Sequence, residues 1–313
     1  MAFAAWWVSA VTVACAFSTP PPTRTSPQTT ATDGTKNDSD EGTFGLSGSW
    51  DHARAQIVEP KCCIVTKIDG IDGQLGALKD FLVDQGPADL DLRARIRTSS
   101  LSSDHVYNDC LAILQQSCED KDIDCLETTA RSLQELALGV ASLTQTASSS
   151  SLQNCDVFCR IVCASHYRAR EPPMHTDKAP LRAYATLQGV GTEYLPRICT
   201  PFEYARLRTL GPSKHDKDNR LELQQAQEKQ FIVMKGDTFY DYFGDSTIVN
   251  SIYDQLWTRS RACVHRSPPG NHGNRIIVSI DLNDGMDDRE WRVVGKQREW
   301  RNGLTQRKSK LVA

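Results

Sequence analysis

Residues 264–281 read VHRSPPGNHGNRIIVSID, and the fold of the chain is worked outward from them. His265 closes a short strand expected over Ala262–His265, Pro269-Gly270-Asn271 supplies a turn, and Arg275-Ile276-Ile277-Val278-Ser279-Ile280 has the β-branched density of a strand. Upstream, His175-Thr176-Asp177 stands before the apolar-rich run Leu181–Leu187. On a strand, residues i and i+2 point to one side, so His175 and Asp177 can converge on one ion. A neighbouring strand carrying His265 would close a facial set of two imidazoles and one carboxylate. That donor set suits iron(II) and leaves three positions open for a bidentate 2-oxo acid and dioxygen.

Ten residues beyond His265, Arg275 offers a planar fork able to hold the far carboxylate of 2-oxoglutarate through two charge-assisted hydrogen bonds. Arg182 and Tyr184 share a strand face and are further candidates to contact such a ligand. The expected chemistry is oxidative decarboxylation of 2-oxoglutarate coupled to hydroxylation of a small molecule or a protein side chain. Two other readings stay open. The same residues suit zinc in a cupin-like metal-binding or metal-handling protein without turnover. Alternatively there is no metal: His175 lies in a loop after Pro172-Pro173, Asp177 caps a turn, His265 is hydrogen-bonded in the core, and Arg275 pairs with Glu193 or Asp281.

The remaining composition sets bounds. A chain of 313 residues holds one large domain or two ordinary ones, and its formal net charge of −3 gives no reason to expect a nucleic-acid partner. No run reaches membrane-spanning length, so no membrane association is expected of the mature form. Residues 1–16 (MAFAAWWVSAVTVACA) have the apolar, small-ended shape of a signal peptide, though without a basic start. The junction Ala14-Cys15-Ala16-Phe17, followed by an acid-free Ser/Thr/Pro stretch, resembles the two-part leaders of algae with secondary plastids. The expected address is that plastid, with secretion as the alternative. Residues 17–50 are expected to be disordered.

From 51 to 150 a mainly helical region is expected, with strands at Cys62–Val65 and Leu90–Arg97. Helices are expected from Asp72, over Asp104–Cys118 and over Leu126–Leu143, where Leu126, Leu133, Leu136, Val140 and Leu143 form one stripe. Cys110, Cys118 and Cys125 suit buried small apolar positions, since no close Cys-x-x-Cys pair occurs. The serine run Ser148–Ser151 marks the boundary, and Cys155, Cys159 and Cys163 after it suggest the buried face of a helix. Strands are expected at Leu181–Leu187 and Phe231–Met234, and Thr200-Pro201-Phe202-Glu203 is a capping box starting a short helix. Lys214–Lys229 reads as an exposed insertion and 286–313 as a tail.

These motifs carry a resemblance. His175-Thr176-Asp177, Pro180-Leu181-Arg182, Gly189–Pro196, Lys235-Gly236, His265–Pro269 and Arg275–Asp281 occur in the order found in the family called domain of unknown function 1826, over about residues 155–285. The spacing also resembles, more distantly, the iron(II)- and 2-oxoglutarate-dependent oxygenases. That resemblance implies a double-stranded β-helix, a cupin-like jelly roll, over 151–285. The expected class is therefore α+β, with the mainly helical region packed in front of the β-helix.

Overall fold

The computed structural model describes residues 48–84, 89–98, 103–116, 123–144, 156–164, 167–169, 174–212, 223–240, 257 and 259–282. The leader up to residue 47, the serine run, Cys118, Cys155, His166, most of the charged insertion and the tail from 286 lie outside them. Residues 48–50, which fall in the segment expected to be disordered, open the first helix. No described helix is long and apolar enough to cross a membrane.

The first half runs α1 (Gly48–Val58), β1 (Ile64–Val65), α2 (Asp72–Asp84), β2 (Asp89–Ile96), α3 (Ser103–Gln115) and α4 (Ile123–Ser142). The second half runs β3 (Val157–Ala164), β4 (Tyr167–Ala169), β5 (Leu181–Gln188), β6 (Glu193–Tyr194) and α5 (Pro201–Leu210). It continues with β7 (Gln224–Gln225), β8 (Phe231–Lys235), β9 (His265–Arg266), β10 (Gly270–His272) and β11 (Arg275–Leu282). The strands form a six-stranded sheet in the order β1-β8-β5-β11-β3-β2, a three-stranded sheet β7-β6-β9 and the pair β10-β4. All strand pairs are antiparallel, so the fold mixes helices with antiparallel sheet.

One face of the large sheet carries Cys159, Ile161, Ala183, Ala185, Phe231, Val233, Val278 and Ile280, all buried in one cluster with residues of the four N-terminal helices. The stripe expected on α4 is there: Leu126, Leu133, Leu136, Val140 and Leu143 are all buried. Gly139 lets α1 lie against α4, because a Cβ there would fall 2.2 Å from the Trp50 ring. Two strands of this sheet, β1 and β2, come from before residue 150, so the segments 51–150 and 151–285 are woven into one sheet. The serine run divides the sequence and not this sheet.

The opposite face alternates with the first and mixes charged side chains with a smaller apolar patch that includes Ile232 and Met234. Register sets Arg182 beside Asp281 and Met234, and Tyr184 beside Ser279 and Ile232. Further out, Arg93 lies opposite Arg160, and both guanidinium groups donate to Asp91. The alternating arginines of β2 are thus ion-paired, with Arg95 on Asp156 and Arg97 on Asp109.

Three expectations are corrected. Cys159 and Cys163 lie on a strand, β3, and not on a helix. A spacing of four puts residues on one face of either element, and the β-branched Val157, Ile161 and Val162 favour the strand. Cys125 is exposed in the first turn of α4, whereas Cys110 is buried as expected. Of the strand expected over Ala262–His265 only His265 lies in β9; Ala262 donates to the Arg259 carbonyl, Cys263 donates to the Lys235 carbonyl and Val264 accepts from Leu195, as irregular backbone.

Candidate metal centre

The capping box at Thr200 is formed as expected: its hydroxyl accepts from the Glu203 amide, and the Glu203 carboxylate accepts from the Thr200 amide. The helix it starts, α5, turns Tyr204 and Leu207 into a cluster with Met174, Leu195 and Val264. That cluster underlies both ligand-bearing segments, and Tyr204 Oη lies 3.2 Å from Thr176 Oγ1, between His175 and Asp177.

His175 is not part of a strand. It forms a single antiparallel bridge with His265, each amide donating to the other's carbonyl at 2.9 Å. Asp177 follows in a loop that crosses Gly236 so closely that a Cβ there would sit 1.8 Å from the Ala179 carbonyl oxygen. The Asp237 amide donates to the Asp177 carbonyl at 2.6 Å. The Lys235-Gly236-Asp237 turn therefore presses the loop into place, and convergence of the donors owes more to this contact than to strand alternation.

The three side chains meet. One ligand atom from each of His175, Asp177 and His265 lies within 4.8 Å of the others, and the two imidazole centroids are 4.6 Å apart. His265 Nε2 is 3.2 Å from Asp177 Oδ2. Two donors bound to one ion at about 2.1 Å and nearly at right angles stand roughly 3 Å apart, so this separation matches a shared ion. His265 Nδ1 lies 3.1 Å from the Cys263 carbonyl, which favours the tautomer with Nδ1–H and leaves the Nε2 lone pair facing Asp177. Asp177 Oδ2 is buried and accepts no hydrogen bond. A buried carboxylate oxygen with no donor is costly, and a cation would satisfy it. The residues present fit a divalent metal.

Electrostatics agree. Burial pushes the Asp177 carboxyl upward, but the Arg182 guanidinium and His265 more than offset this and hold it below the usual carboxylate range. For His265, burial acts against protonation and the Asp177 charge outweighs it, so its pKa is raised. The pair thus attracts a proton or another cation between its facing atoms.

Arg182 has other partners than the ligand expected of it. Its Nε and Nη2 donate to Asp281 Oδ1 and Oδ2, each at 2.6 Å, and its Nη1 donates to Asp177 Oδ1 at 2.6 Å. Two carboxylates on adjacent elements claim all three nitrogens, which ties Arg182 to the aspartates. Arg275 and Tyr184, by contrast, are brought together: Arg275 Nη2 donates to Tyr184 Oη at 2.9 Å and lies 3.5 Å from Thr192 Oγ1. Arg275 is 1% exposed. The acids considered as its partners are engaged elsewhere, Glu193 with Arg266 and Asp281 with Arg182. Sequence reasoning missed Thr192 and the roles of Asp281 and the Cys263 carbonyl. Thr192 did stand in the Gly189–Pro196 motif, but nothing in its spacing joined it to Arg275.

A family model, described as protein of unknown function (DUF1826), matches residues 96–281. The chain belongs to the DUF1826 family. Its match reaches back through α3 and α4, farther than the motifs alone, so two of the helices on the apolar face are part of the DUF1826 unit, while α1 and α2 precede it. No curated protein matches this DUF1826 chain significantly. Among solved structures it is similar to dioxygenase for auxin oxidation 1 from Arabidopsis thaliana in its 2-oxoglutarate complex. That match has 12% identity, covers 76% of this chain and 90% of that one, and has a TM-score of 0.46. It is also similar to a bsmA homologue from Methylobium petroleophilum (11% identity, 78% and 95% covered, TM-score 0.37). A third is AviO1 from Streptomyces viridochromogenes (11% identity, 78% and 98% covered, TM-score 0.32). Likenesses this distant assign no activity to the DUF1826 chain.

Proposed function

We propose that the two facing sheets form a double-stranded β-helix and that the protein is an iron(II)- and 2-oxoglutarate-dependent oxygenase of a small molecule or a protein side chain. The observation that carries this reading is the meeting of His175, Asp177 and His265 around a carboxylate oxygen without a hydrogen-bond donor. When bound, iron and 2-oxoglutarate would supply, with dioxygen as the oxidant, decarboxylation of the 2-oxo acid to succinate and carbon dioxide coupled to hydroxylation of a C–H bond. The chain's own residues bind and orient. His175, Asp177 and His265 hold the metal. The Cys263 carbonyl fixes the His265 ring so that Nε2 is the donor. Arg275, aligned by Tyr184 and Thr192, holds the far carboxylate of the co-substrate. The apolar side chains Ile232, Met234, Tyr194 and Cys263, clustered beside Tyr184, keep water from that end.

The test is metal content and 2-oxoglutarate binding of protein purified without air or chelators. Iron near one equivalent and a colour that develops with 2-oxoglutarate support the proposal; zinc with no response to 2-oxoglutarate favours the metal-handling alternative. Arg275→Ala should keep its metal and lose 2-oxoglutarate affinity tens-fold or more, since truncating one side of a buried charged pair costs about 2–5 kcal/mol. An Arg275→Ala chain that binds 2-oxoglutarate as the wild type does would remove Arg275 from the site. On residues 1–50 alone, we also propose delivery to a complex plastid. A reporter fused to residues 1–50 should reach that plastid in such an alga, and a cytosolic signal would refute it.

A further inference from the structure

We infer that Arg182, pinned by Asp281, is a positioning residue that makes Asp177 a one-oxygen metal ligand; this rests on the metal-centre reading above. The antiparallel register of β5 and β11 sets Arg182 directly opposite Asp281. Asp281 is 1% exposed, and its two oxygens accept from Nε and Nη2 in a parallel fork. A guanidinium is planar with fixed donor directions, so anchoring one edge sets where its remaining nitrogen points. That nitrogen, Nη1, donates to Asp177 Oδ1.

Two consequences follow for Asp177. With Oδ1 held by Arg182, rotation of the carboxylate is blocked and Oδ2 alone faces His265 Nε2 at 3.2 Å. A carboxylate free to turn would offer an ion both oxygens and occupy a further coordination position; a held one leaves that position open for other ligands. The second consequence is charge. An arginine bonded to a metal-binding carboxylate would by itself weaken that carboxylate's pull on a cation. Asp281 supplies the compensating negative charge, so the trio Asp177–Arg182–Asp281 keeps a net charge of about −1 toward the ion. Arg182 thus supplies direction, and Asp281 restores the charge that direction would otherwise cost.

The experiment is titration of the full chain with Co(II), followed by calorimetry and by the visible absorption of bound Co(II), which reports coordination number and geometry. The variants are Arg182→Ala, Arg182→Lys and Asp281→Asn, each with its melting temperature. Arg182→Ala removes a positive charge as well as the fork, but loss of the orienting partner should outweigh the gained attraction, so Co(II) binding should weaken by roughly ten- to a hundred-fold and the band shape should change. Arg182→Lys keeps a cation but cannot span both carboxylates, so its affinity should fall less while the band shape still changes. Asp281→Asn should weaken binding several-fold by removing the compensating charge. If the variants melt earlier yet bind Co(II) with wild-type affinity and band shape, Arg182 is merely structural and the inference is overturned. Should Arg182→Ala not fold, Arg182→Lys and Asp281→Asn decide by the same two readouts. A wild-type chain that takes up no Co(II) overturns the metal-centre reading first, which separates the two failures.

Discussion

Along β5, Leu181, Ala183 and Ala185 point into the helix-covered core, while Arg182 and Tyr184 between them look the other way. The same split runs across β11, where Val278 and Ile280 are buried in the apolar cluster and Asp281 lies in the polar set. One strand backbone therefore serves two environments at single-residue spacing. The apolar face is filled by side chains whose worth lies in volume and burial. The charged groups of the other face have a worth that lies in direction: a fork on a carboxylate, a guanidinium against a phenol. Volume tolerates small errors that repacking absorbs, whereas direction does not. Damage to the two faces should accordingly separate into stability and chemistry.

The sharpest separation is expected from His265→Ala. Under the proposed metal reading it removes one of three donors, so stoichiometric metal should be lost while the far-ultraviolet circular dichroism stays that of a folded chain. Full metal content in this variant would break the comparison at its polar side. Next in size is Leu133→Ala, on α4 in the apolar cluster, where the side chain is fully buried. Deleting a buried Leu side chain costs about 2–5 kcal/mol. Urea unfolding should show that loss while the folded fraction binds metal with wild-type affinity; a parallel loss of affinity would mean the faces are coupled through the sheet.

The smallest effect concerns a charge on the apolar side. Lys235 is 1% exposed, donates to the Glu59 carbonyl at 2.8 Å and lies over the Phe239 ring. Burial lowers its pKa from the ordinary 10.5 to about 8. The unfolded chain then holds this proton up to pH 10.5 and the folded chain only to about 8, so folding stability from this group rises with pH between those values. The rise should be roughly 3 kcal/mol. Comparing unfolding free energies of wild type and Lys235→Met across that window checks it. An equal rise in both would show that Lys235 contributes none of it.

What the sequence by itself determined were the features written in local spacing. The α4 stripe, the Thr200 capping box, the alternation of β2 and β5 and the close pair His175 and Asp177 were legible, because each depends on residues a few positions apart. The element holding Cys159 and Cys163 was not, since a spacing of four fits a helix face and a strand face alike. Only the tertiary structure decided how His175 and His265, 90 positions apart, bond to each other's backbone, and that Gly236 presses the Asp177 loop into place. It alone decided the partners of the arginines. Arg182 and Arg275 both have donors enough for a ligand or an acid, and which they meet is set by sheet order and register. The order β8-β5-β11 puts Asp281 beside Arg182, while the bulge between Ile276 and Ile277 shifts the register before Arg275, which meets Tyr184. Pairing over such distances depends on strands that fold together, a property no window of sequence contains.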